Sequence, residues 1–564
     1  MTESGKAEEI MNRYAIGLDY GTLSARAVLV DTQDGNVAAE CTYVYPHGVM
    51  DTQLPDGTPL PQGWALQHPS DYLKALDVLI PALMRESGVS AGQVIGIGLG
   101  CTSASILPVY HDKTPLCLSD TFAGEKHAYV KLWKHHGADA EAEQVCSVAR
   151  ERHESWLAAY GGNVSSEWTV PKVLETLRHA PDVYENADLF MEVMDWLVWV
   201  LTDTLCFSEC AAGYKAFYQD GRYPDTEFFR ALDPRMEHFI EEKFHAPVRS
   251  VGTCAGLLSE AMAARLNLHP GIPVGVPMVD AHCSVPGGGV DAPGEMMIIM
   301  GTSACHLMLS EQKVSMDGIQ GVVRNGMMPG FYGVEAGQSC VGEHFAWAVE
   351  QCFPEAYARE ANALGLSRHE LMARKLEGYR PGASGLLALD WFNGVRSPLM
   401  DFDLNGLILG MHLQTRPEEI YLALMEATAY GTRLIVELYE KHGVPVRQIL
   451  LSGGIPVRNP LLVQIYADVL ERPVRVCGRK QASAVGAALL GMAAAGKGQS
   501  GYADLREATR AHRRVNGDAI LPRKEHVQVY RELYSEYVRL LDYFGRGGND
   551  VMRHLNRLRA ANHA

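Results

Sequence analysis

Short apolar runs with alternating polarity and longer segments with helical spacing follow one another along this chain. Tyr14 to Val30 contains two apolar runs joined by Asp-Tyr-Gly-Thr, which predicts a β-hairpin, and a third strand is expected after Gly35. The segment from His68 has the start signals and apolar spacing of a helix, and Gln93 to Gly100 is typical of a short buried strand. Strands that alternate with helices favour an α/β architecture.

The second half of the chain repeats this pattern after a Pro/Gly break at residues 269–271, where we place a domain boundary. We expect the stretch VGVPMVDA to form a strand of the second domain, and two apolar runs joined by Gly-Thr-Ser to form another hairpin. The Gly301-Thr302 pair of this hairpin echoes Gly21-Thr22 of the first. Duplication of one domain is therefore a hypothesis.

Two later segments carry clear end signals. A long helix is predicted from Glu418, with Gly443 as its stop. A strand, a Gly453-Gly454 turn and a helix follow, and Asn459 before a proline has the chemistry of a helix N-cap. We expect an N-terminal domain at 14–268, a C-terminal domain at 270–500 and a helical extension at 501–564.

Length and composition restrict the class of protein. The 564 residues exceed the roughly 250–300 residues over which a single core grows, so two large domains are expected. The net charge of −17 is spread along the chain, which argues against a nucleic-acid partner. The first thirteen residues lack an apolar signal core, and Asp195 and Asp203 interrupt the most apolar helical stretch. We predict neither a secretion signal nor a membrane span, and a cytoplasmic location.

Cysteine spacing indicates reduced thiols. The twelve cysteines include no Cys-x-x-Cys pair, which makes a metal ribbon or a thioredoxin-type redox site improbable. Cys206 and Cys210 have no second pair to complete a tetrahedral metal site. Buried free thiols in a reducing compartment are the simpler interpretation.

The turn of the first hairpin carries groups that suit a phosphate. Gly21 would let backbone N–H groups approach phosphate oxygens, and the Thr22 and Ser24 hydroxyls can donate further hydrogen bonds. Arg26 could add positive charge. Asp19 is a candidate Mg²⁺ ligand acting through water, because Mg²⁺ prefers hard oxygen ligands and keeps much of its hydration. An ordinary tight turn is the alternative interpretation.

Two more small-residue turns after apolar strands favour the phosphate interpretation. The second is Gly301–Ser303, and the third is the Gly453-Gly454 unit. The helix that begins after Asn459 would present its positive dipole end. Together these segments offer a nucleotide both phosphate-binding turns and a backbone-rich surface for its nucleoside.

Four segments resemble the FGGY family of carbohydrate kinases, which belongs to the actin and hexokinase superfamily. GLDYGTLSARAVLVD resembles the first phosphate loop, GTSACH the second, LSGGIPVRNPLLVQIYADVL the adenosine motif and GLILGMHLQTRPEEIYLALMEA the C-terminal signature. The resemblance covers residue 14 to about residue 500. It implies an α/β fold of two duplicated ribonuclease H-like domains around a central cleft. It also implies a sugar substrate, ATP and Mg²⁺, and suggests a homodimer.

Within the family, the resemblance is greatest to the members that phosphorylate L-ribulose in L-arabinose catabolism, through WALQHPSDYL, YGGNVSSEW, AGYKAFY, VDAHCSVP and EAGQS. It implies that Asp280 is the base that takes the proton of the attacking sugar hydroxyl. Lys215 would donate to sugar oxygens and Glu335 would accept hydroxyl protons. The residues alone leave Asp280 open as a metal ligand, a helix cap or a base. His282 is two residues away, and we do not expect it to form a catalytic dyad with Asp280.

One segment departs from the family pattern. Residues 100–105 read GCTSAS, where an Asp is usual, and Ser103 aligns with the small residue that touches the sugar. The change is either neutral or selects another acceptor such as D-ribulose, ribitol or xylulose. A third hypothesis is a nucleotide-switched binding protein of the same superfamily, which would need the phosphate turns but not Lys215, Asp280 and Glu335.

Overall fold

The computed structural model describes residues 12–563. Most of the amino-terminal segment examined for a secretion signal lies outside this range. Within residues 12–563, no helix combines the length and the apolar composition that crossing a membrane requires. All twelve cysteines fall in the described range and are free thiols; eight are buried as expected, whereas Cys41, Cys254 and Cys305 are partly exposed and Cys352 is exposed.

The strands, in chain order, are β1 Tyr14–Tyr20, β2 Ser24–Asp31, β3 Val37–Val44, β4 Leu66–Gln67, β5 Val94–Cys101, β6 Ile106–Val109, β7 Val130–Lys131, β8 Leu189–Glu192, β9 Phe207–Ser208, β10 Val248–Arg249, β11 Cys254–Leu257, β12 Pro273–Gly275, β13 Met278–Val279, β14 Glu295–Met300, β15 Ala304–Ser310, β16 Gly321–Arg324, β17 Tyr332–Gln338, β18 Leu387–Leu389, β19 Leu407–Leu409, β20 Gln448–Ser452, β21 Val474–Cys477 and β22 Val515–Ile520.

The α-helices, in chain order, are α1 Pro69–Ser87, α2 Asp139–Glu151, α3 Thr169–His179, α4 Pro181–Asn186, α5 Val193–Thr202, α6 Glu209–Lys215, α7 Thr226–Leu232, α8 Phe239–Lys243, α9 Glu260–Leu266, α10 Asp280–Gly287, α11 Gly342–Trp347, α12 Glu355–Leu364, α13 Arg368–Lys375, α14 Pro417–Lys441, α15 Gly454–Arg458, α16 Pro460–Leu470, α17 Ala482–Ala495, α18 Lys497–Ser500, α19 Leu505–Ala511, α20 Lys524–Leu540 and α21 Val551–His563.

The first large sheet has the order β11-β12-β5-β1-β2-β3, with β13 paired to the end of β5. Strands β1 and β2 form the predicted antiparallel hairpin, and β3 continues it. Strand β5 runs parallel to β1. A hydrophobic core covers this sheet.

The second large sheet has the order β16-β17-β15-β14-β20-β21-β22. Its strands β14 and β15 again form an antiparallel hairpin that β17 continues, and β20 runs parallel to β14 as β5 does to β1. It packs on a second core. Because both sheets repeat one arrangement of hairpin, third strand and parallel neighbour, the α/β fold predicted as a duplication is confirmed.

Two expectations about individual strands were wrong. Strands β12 and β13, expected in the second domain, pair with β5 in the first sheet. The pattern of an apolar run bounded by Pro and Gly does not specify which strand it pairs with, so the run is compatible with either sheet. The extension at 501–564 is not only helical, since β22 pairs with β21 in the second sheet. The division at 268 and 500 remains a prediction.

Helix α17, from near the end of the chain, packs against β1 and β5 of the first sheet. The contact depends on residues without side chains. A Cβ atom added at Gly17 would overlap the main-chain oxygen of Ala484, and one at Gly98 would overlap that of Ala487. The small residues of both surfaces therefore let the helix lie directly on the strands.

Candidate functional site

A cavity of about 210 Å³ lies where residues of both sheets face each other. Six residues predicted from sequence line it: Thr22, Ser103, Lys215, Asp280, Ser303 and Glu335. Lys215 is the last residue of α6, and Glu335 lies in β17. The fold thus brings together residues that are more than a hundred positions apart in sequence.

Asp280 begins α10, directly after β13. Its Oδ1 atom accepts the N–H of Ala281 at 2.7 Å, so the carboxylate also contributes to the first turn of the helix. Burial raises the pKa of Asp280 to about 7, and the nearby charges of Asp19 and Glu335 act in the same direction. A carboxylate with a pKa near neutrality is suited to take a proton.

Asp19 lies at the end of β1 and is linked to Asp280 through Ser483, the second residue of α17. Ser483 Oγ lies 2.9 Å from Asp19 Oδ1 and 2.8 Å from the main-chain oxygen of Asp280. Asp19 Oδ2 lies 3.5 Å from Arg26 Nη1. Burial raises the pKa of Asp19, while the hydrogen bond from Ser483 and the charge of Arg26 act in the opposite direction.

The oxygen donors around Asp19 would suit a Mg²⁺ ion that takes most of its ligands from water and phosphate. Among the described residues, no cluster of three or more His, Cys, Asp and Glu side chains could enclose a metal. Asp19 and Asp280 both offer hard carboxylate oxygens, and Ser483 Oγ contacts the Asp19 carboxylate and the main chain of Asp280. Mg²⁺ in phosphoryl-transfer sites usually takes one or two carboxylates and completes its shell with water and phosphate oxygens.

Lys215 and Glu335 line the cavity and form a buried polar cluster with His282, which does not line it. Lys215 Nζ lies 3.7 Å from Glu335 Oε2, and His282 Nε2 lies 3.3 Å from the same oxygen. Burial alone would raise the pKa of Glu335, but Lys215 and His282 lower it to about 2. Glu335 is therefore ionised at neutral pH and acts as an acceptor only.

Ser103 lies in a turn whose main chain is hydrogen-bonded to two buried charged side chains. Lys172 Nζ donates to the main-chain oxygen of Ala104 at 2.7 Å, and Glu192 Oε2 accepts the N–H of Ser105 at 3.0 Å. Ala104 has a φ of 51°, a left-handed conformation that costs free energy in a residue with a Cβ. These bonds fix the turn through its main chain and leave the Ser103 side chain at the cavity.

The turn between β1 and β2, which was predicted to bind phosphate, is held by two hydrogen bonds. The N–H of Gly21 donates to the main-chain oxygen of Ser24 at 3.0 Å and closes the hairpin. Thr22 Oγ1 accepts a hydrogen bond from Trp133 Nε1 at 3.1 Å. Gly21, Ser24 and Arg26 do not line the 210 Å³ cavity, so their predicted contact with phosphate remains a prediction.

A larger cavity of about 710 Å³ lies on the second sheet's side. Four residues predicted to bind the nucleotide line it: Gly301, Thr302, Gly454 and Asn459. Asn459 Oδ1 accepts the N–H of Leu462 at 3.1 Å, which confirms it as the N-cap of α16. Thr302 lines this cavity and Ser303 lines the smaller one, so the turn of the second hairpin separates the two spaces.

Gly453 directly precedes Gly454, which lines the larger cavity, and it occupies a position that only glycine adopts without strain. Its φ is 106°, and a Cβ there would overlap the main-chain oxygen of Met300. The turn after β20 can therefore lie directly against the end of β14.

Several cavity residues were not predicted. Arg396, Trp168 and Gln320 line the smaller cavity, and Phe345, His369 and Tyr421 line the larger one. Ser483 was also missed. Arg396 lies outside the segments that carry the family resemblance, and Ser483 lies at an Ala-rich helix start, so the sequence offered no signal for either residue.

Two family models match consecutive parts of the chain. The N-terminal domain of the FGGY family of carbohydrate kinases matches residues 14–287, and its C-terminal domain matches residues 296–495. The chain belongs to the FGGY family of carbohydrate kinases. Substrates of an FGGY kinase are a carbohydrate and ATP, so the predicted classes of small-molecule substrate are confirmed at this level.

Relatives cover nearly the whole of this FGGY kinase. It is 48% identical over 547 residues to a ribulokinase of Geobacillus thermodenitrificans, with 96% of each chain covered. It is 47% identical over 553 residues to a ribulokinase of Halalkalibacterium halodurans, with 98% of each chain covered.

Solved structures show the same fold. A xylulose kinase from Rhodospirillum rubrum superposes with a TM-score of 0.73 at 23% identity, covering 94% of this FGGY kinase and 98% of that chain. A gluconate kinase from Lactobacillus acidophilus superposes with a TM-score of 0.76 at 16% identity, covering 95% and 99%.

Proposed function

We propose that this FGGY kinase transfers the γ-phosphoryl group of ATP to L-ribulose and forms L-ribulose 5-phosphate. The observation that carries the proposal is the 210 Å³ cavity, in which Lys215 and Glu335 oppose a donor and an acceptor beside Asp280. Such a set suits the hydroxyls of a neutral sugar. The ribulokinases that are 46–48% identical over nearly the full length support the same substrate.

In this proposal Asp280 is the base. Its raised pKa lets it accept the proton of the sugar hydroxyl as the oxygen attacks phosphorus. Lys215 donates to a sugar oxygen, and Glu335 accepts a hydroxyl proton, so the sugar is held in one orientation. Closure of the cleft around the sugar would exclude water that competes for the phosphoryl group.

ATP would lie in the 710 Å³ cavity with its nucleoside near Phe345 and Tyr421. Its phosphates would lie at the Gly301–Ser303 turn, which is where the two cavities adjoin, with the Gly21–Ser24 turn on the other side. A bound Mg²⁺ near Asp19 would neutralise charge on the β- and γ-phosphates. Arg26 beside Asp19 would add to that positive charge.

A coupled assay of ADP release with a panel of acceptors tests the proposal. L-ribulose, D-ribulose, ribitol, xylulose and glycerol are compared at equal concentrations. The highest kcat/KM is expected for L-ribulose. A preference for xylulose or glycerol would overturn the assignment, and a preference for D-ribulose or ribitol would point to the altered turn at Ser103.

The same assay tests the third hypothesis, a nucleotide-switched binding protein. Sugar should stimulate ATP turnover, whereas a binding protein would respond to a protein partner instead. The presence of Lys215, Asp280 and Glu335 in one cavity favours the sugar kinase.

Assembly and location complete the proposal. We expect a homodimer, and light scattering of the purified protein measures its mass. Free thiols at all twelve cysteines are consistent with a reducing compartment such as the cytosol.

A further inference from the structure

We propose that His282 is a positioning residue that holds Glu335 in place for the sugar, and that the thiol of Cys210 fixes the orientation of its imidazole. The proposal rests on the proposed sugar site but concerns a residue that touches the sugar only through Glu335. It assigns a role to a histidine that has no part in proton transfer by Asp280.

His282 lies between a thiol and a carboxylate in a fully buried position, with 1% of its surface exposed. Its Nδ1 atom lies 3.3 Å from Cys210 Sγ, and its Nε2 atom lies 3.3 Å from Glu335 Oε2. The ring also packs on Tyr214, with 4.4 Å between ring centroids. Neither His282 Nε2 nor Glu335 Oε2 has a hydrogen-bond partner of standard geometry among the described residues, so these two buried atoms, 3.3 Å apart, are each available to the other.

The neighbours of His282 select one tautomer. Nε2 of the ring faces the Glu335 carboxylate and Nδ1 faces the Cys210 thiol, and a neutral imidazole carries its single N–H on one of these two nitrogens. The carboxylate of Glu335 can only accept, which places that hydrogen on Nε2. Nδ1 is then an acceptor, and the S–H group of Cys210 is the donor that meets it.

This arrangement leaves one oxygen of Glu335 for the substrate. Lys215 and His282 both approach Oε2, and within residues 12–563 no hydrogen bond engages Oε1. Glu335 lines the cavity, so Oε1 is the oxygen that can accept a sugar hydroxyl. Without the Nε2–H group, Oε2 would retain only Lys215, the group that the sugar also needs. We therefore expect sugar affinity to depend on one specific nitrogen of His282.

Two amide substitutions separate this role from simple packing. In His282→Gln the side-chain amide nitrogen can occupy the position of Nε2 and still donate to Glu335. In His282→Asn the shorter amide lies at the position of Nδ1 and cannot reach Glu335. Both variants lose the ring contact with Tyr214, so a packing role would affect them equally. Thermal melting and ATP binding show whether each variant is folded.

The measurement is calorimetric titration of L-ribulose into each folded variant without ATP, followed by kinetics. We expect His282→Asn to weaken sugar binding about 20-fold and raise the sugar KM in parallel, and His282→Gln to weaken binding about 3-fold or less. The ATP affinity should not change in either. Equal losses in both variants, or no loss in His282→Asn, would overturn the proposal.

The thiol provides a second, matched pair. Cys210→Ser keeps a donor for Nδ1, whereas Cys210→Ala leaves that buried nitrogen without one. We expect the alanine variant to bind sugar more weakly than the serine variant, and the reverse order would contradict the role of the thiol. If the wild type prefers another pentulose or pentitol, the proposed substrate fails and the variants are titrated with that acceptor. A wild-type protein that binds no such sugar would overturn both proposals.

Discussion

The two cavities of this FGGY kinase differ in the groups that line them. The smaller one is lined by the buried side chains of Lys215 and Glu335, which lie close to each other, and by the half-buried Asp280. The larger one has small residues where it adjoins the smaller cavity, and the aromatic rings of Phe345 and Tyr421 also line it. Its charged side chains, Glu343, Glu370 and Arg458, are exposed.

The difference between the cavities fits the charges of the ligands proposed for them. A neutral sugar brings no charge of its own, so the protein supplies opposed charges and must hold them apart from each other. A nucleotide brings its charge, and turns with accessible N–H groups are sufficient to receive it. We therefore expect substitutions in the two cavities to have separable effects on sugar and ATP.

The largest separable effect is expected from Asp280→Asn. Loss of the base should lower kcat by about 10²- to 10⁴-fold, which is the usual contribution of general base catalysis. ATP affinity, measured by titration calorimetry, should remain within about 2-fold, because Asp280 lines only the smaller cavity. Near-normal turnover would remove Asp280 from the base role.

The pH dependence should report the same carboxylate. The pKa of Asp280 is raised to about 7, and a base acts only when ionised, so kcat/KM for the sugar should fall about 10-fold per unit below pH 7. Glu335, with its pKa lowered to about 2, stays ionised and adds no second decline in this range. A rate profile from pH 5 to 9 measures this. A flat profile between pH 5 and 7 would contradict the assignment.

A substitution beside the larger cavity should weaken ATP binding and leave sugar binding unchanged. In Gly453→Ala, the new Cβ overlaps the main chain of Met300 at a φ of 106°, so the turn must shift. We expect the KM for ATP to rise about 10-fold while sugar affinity without ATP is kept. Gly498→Ala is the control, because a Cβ there meets no atom within 4 Å. Equal effects on ATP and sugar would show that the cavities are not independent.

The smallest effect is expected from Ser103→Ala. Lys172 and Glu192 hold this turn through its main chain, so loss of the hydroxyl should change kcat/KM for L-ribulose by about 3-fold or less. Ratios of kcat/KM for L-ribulose, D-ribulose and xylulose are the sensitive measurement. A change in any ratio above about 10-fold would make Ser103 a determinant of specificity.

Local features of this chain were predictable because they depend on neighbours in sequence. Both hairpins, the helix from Pro417 to Lys441 and the N-cap at Asn459 follow from turn and cap residues within a few positions. The roles proposed for Asp280, Lys215 and Glu335 came from resemblance, since one carboxylate or one lysine has no distinctive pattern.

Partners across the fold were not predictable. His282 meets Glu335 and Cys210, and Ser483 meets Asp19, only because distant elements fold together. Strand β13 was placed in the wrong sheet for the same reason, since its apolar pattern does not specify β5 as its partner.

The packing of α17 on the first sheet has a consequence for synthesis of the chain. Strand β5 is complete about 380 residues before the ribosome adds the helix that covers it. At about 5–20 residues per second, roughly 20–80 s pass between synthesis of that strand and synthesis of α17, which packs on its glycine-rich face. The nascent first half must therefore remain open on that side until translation is nearly finished, and it is then that chaperones would have most to protect.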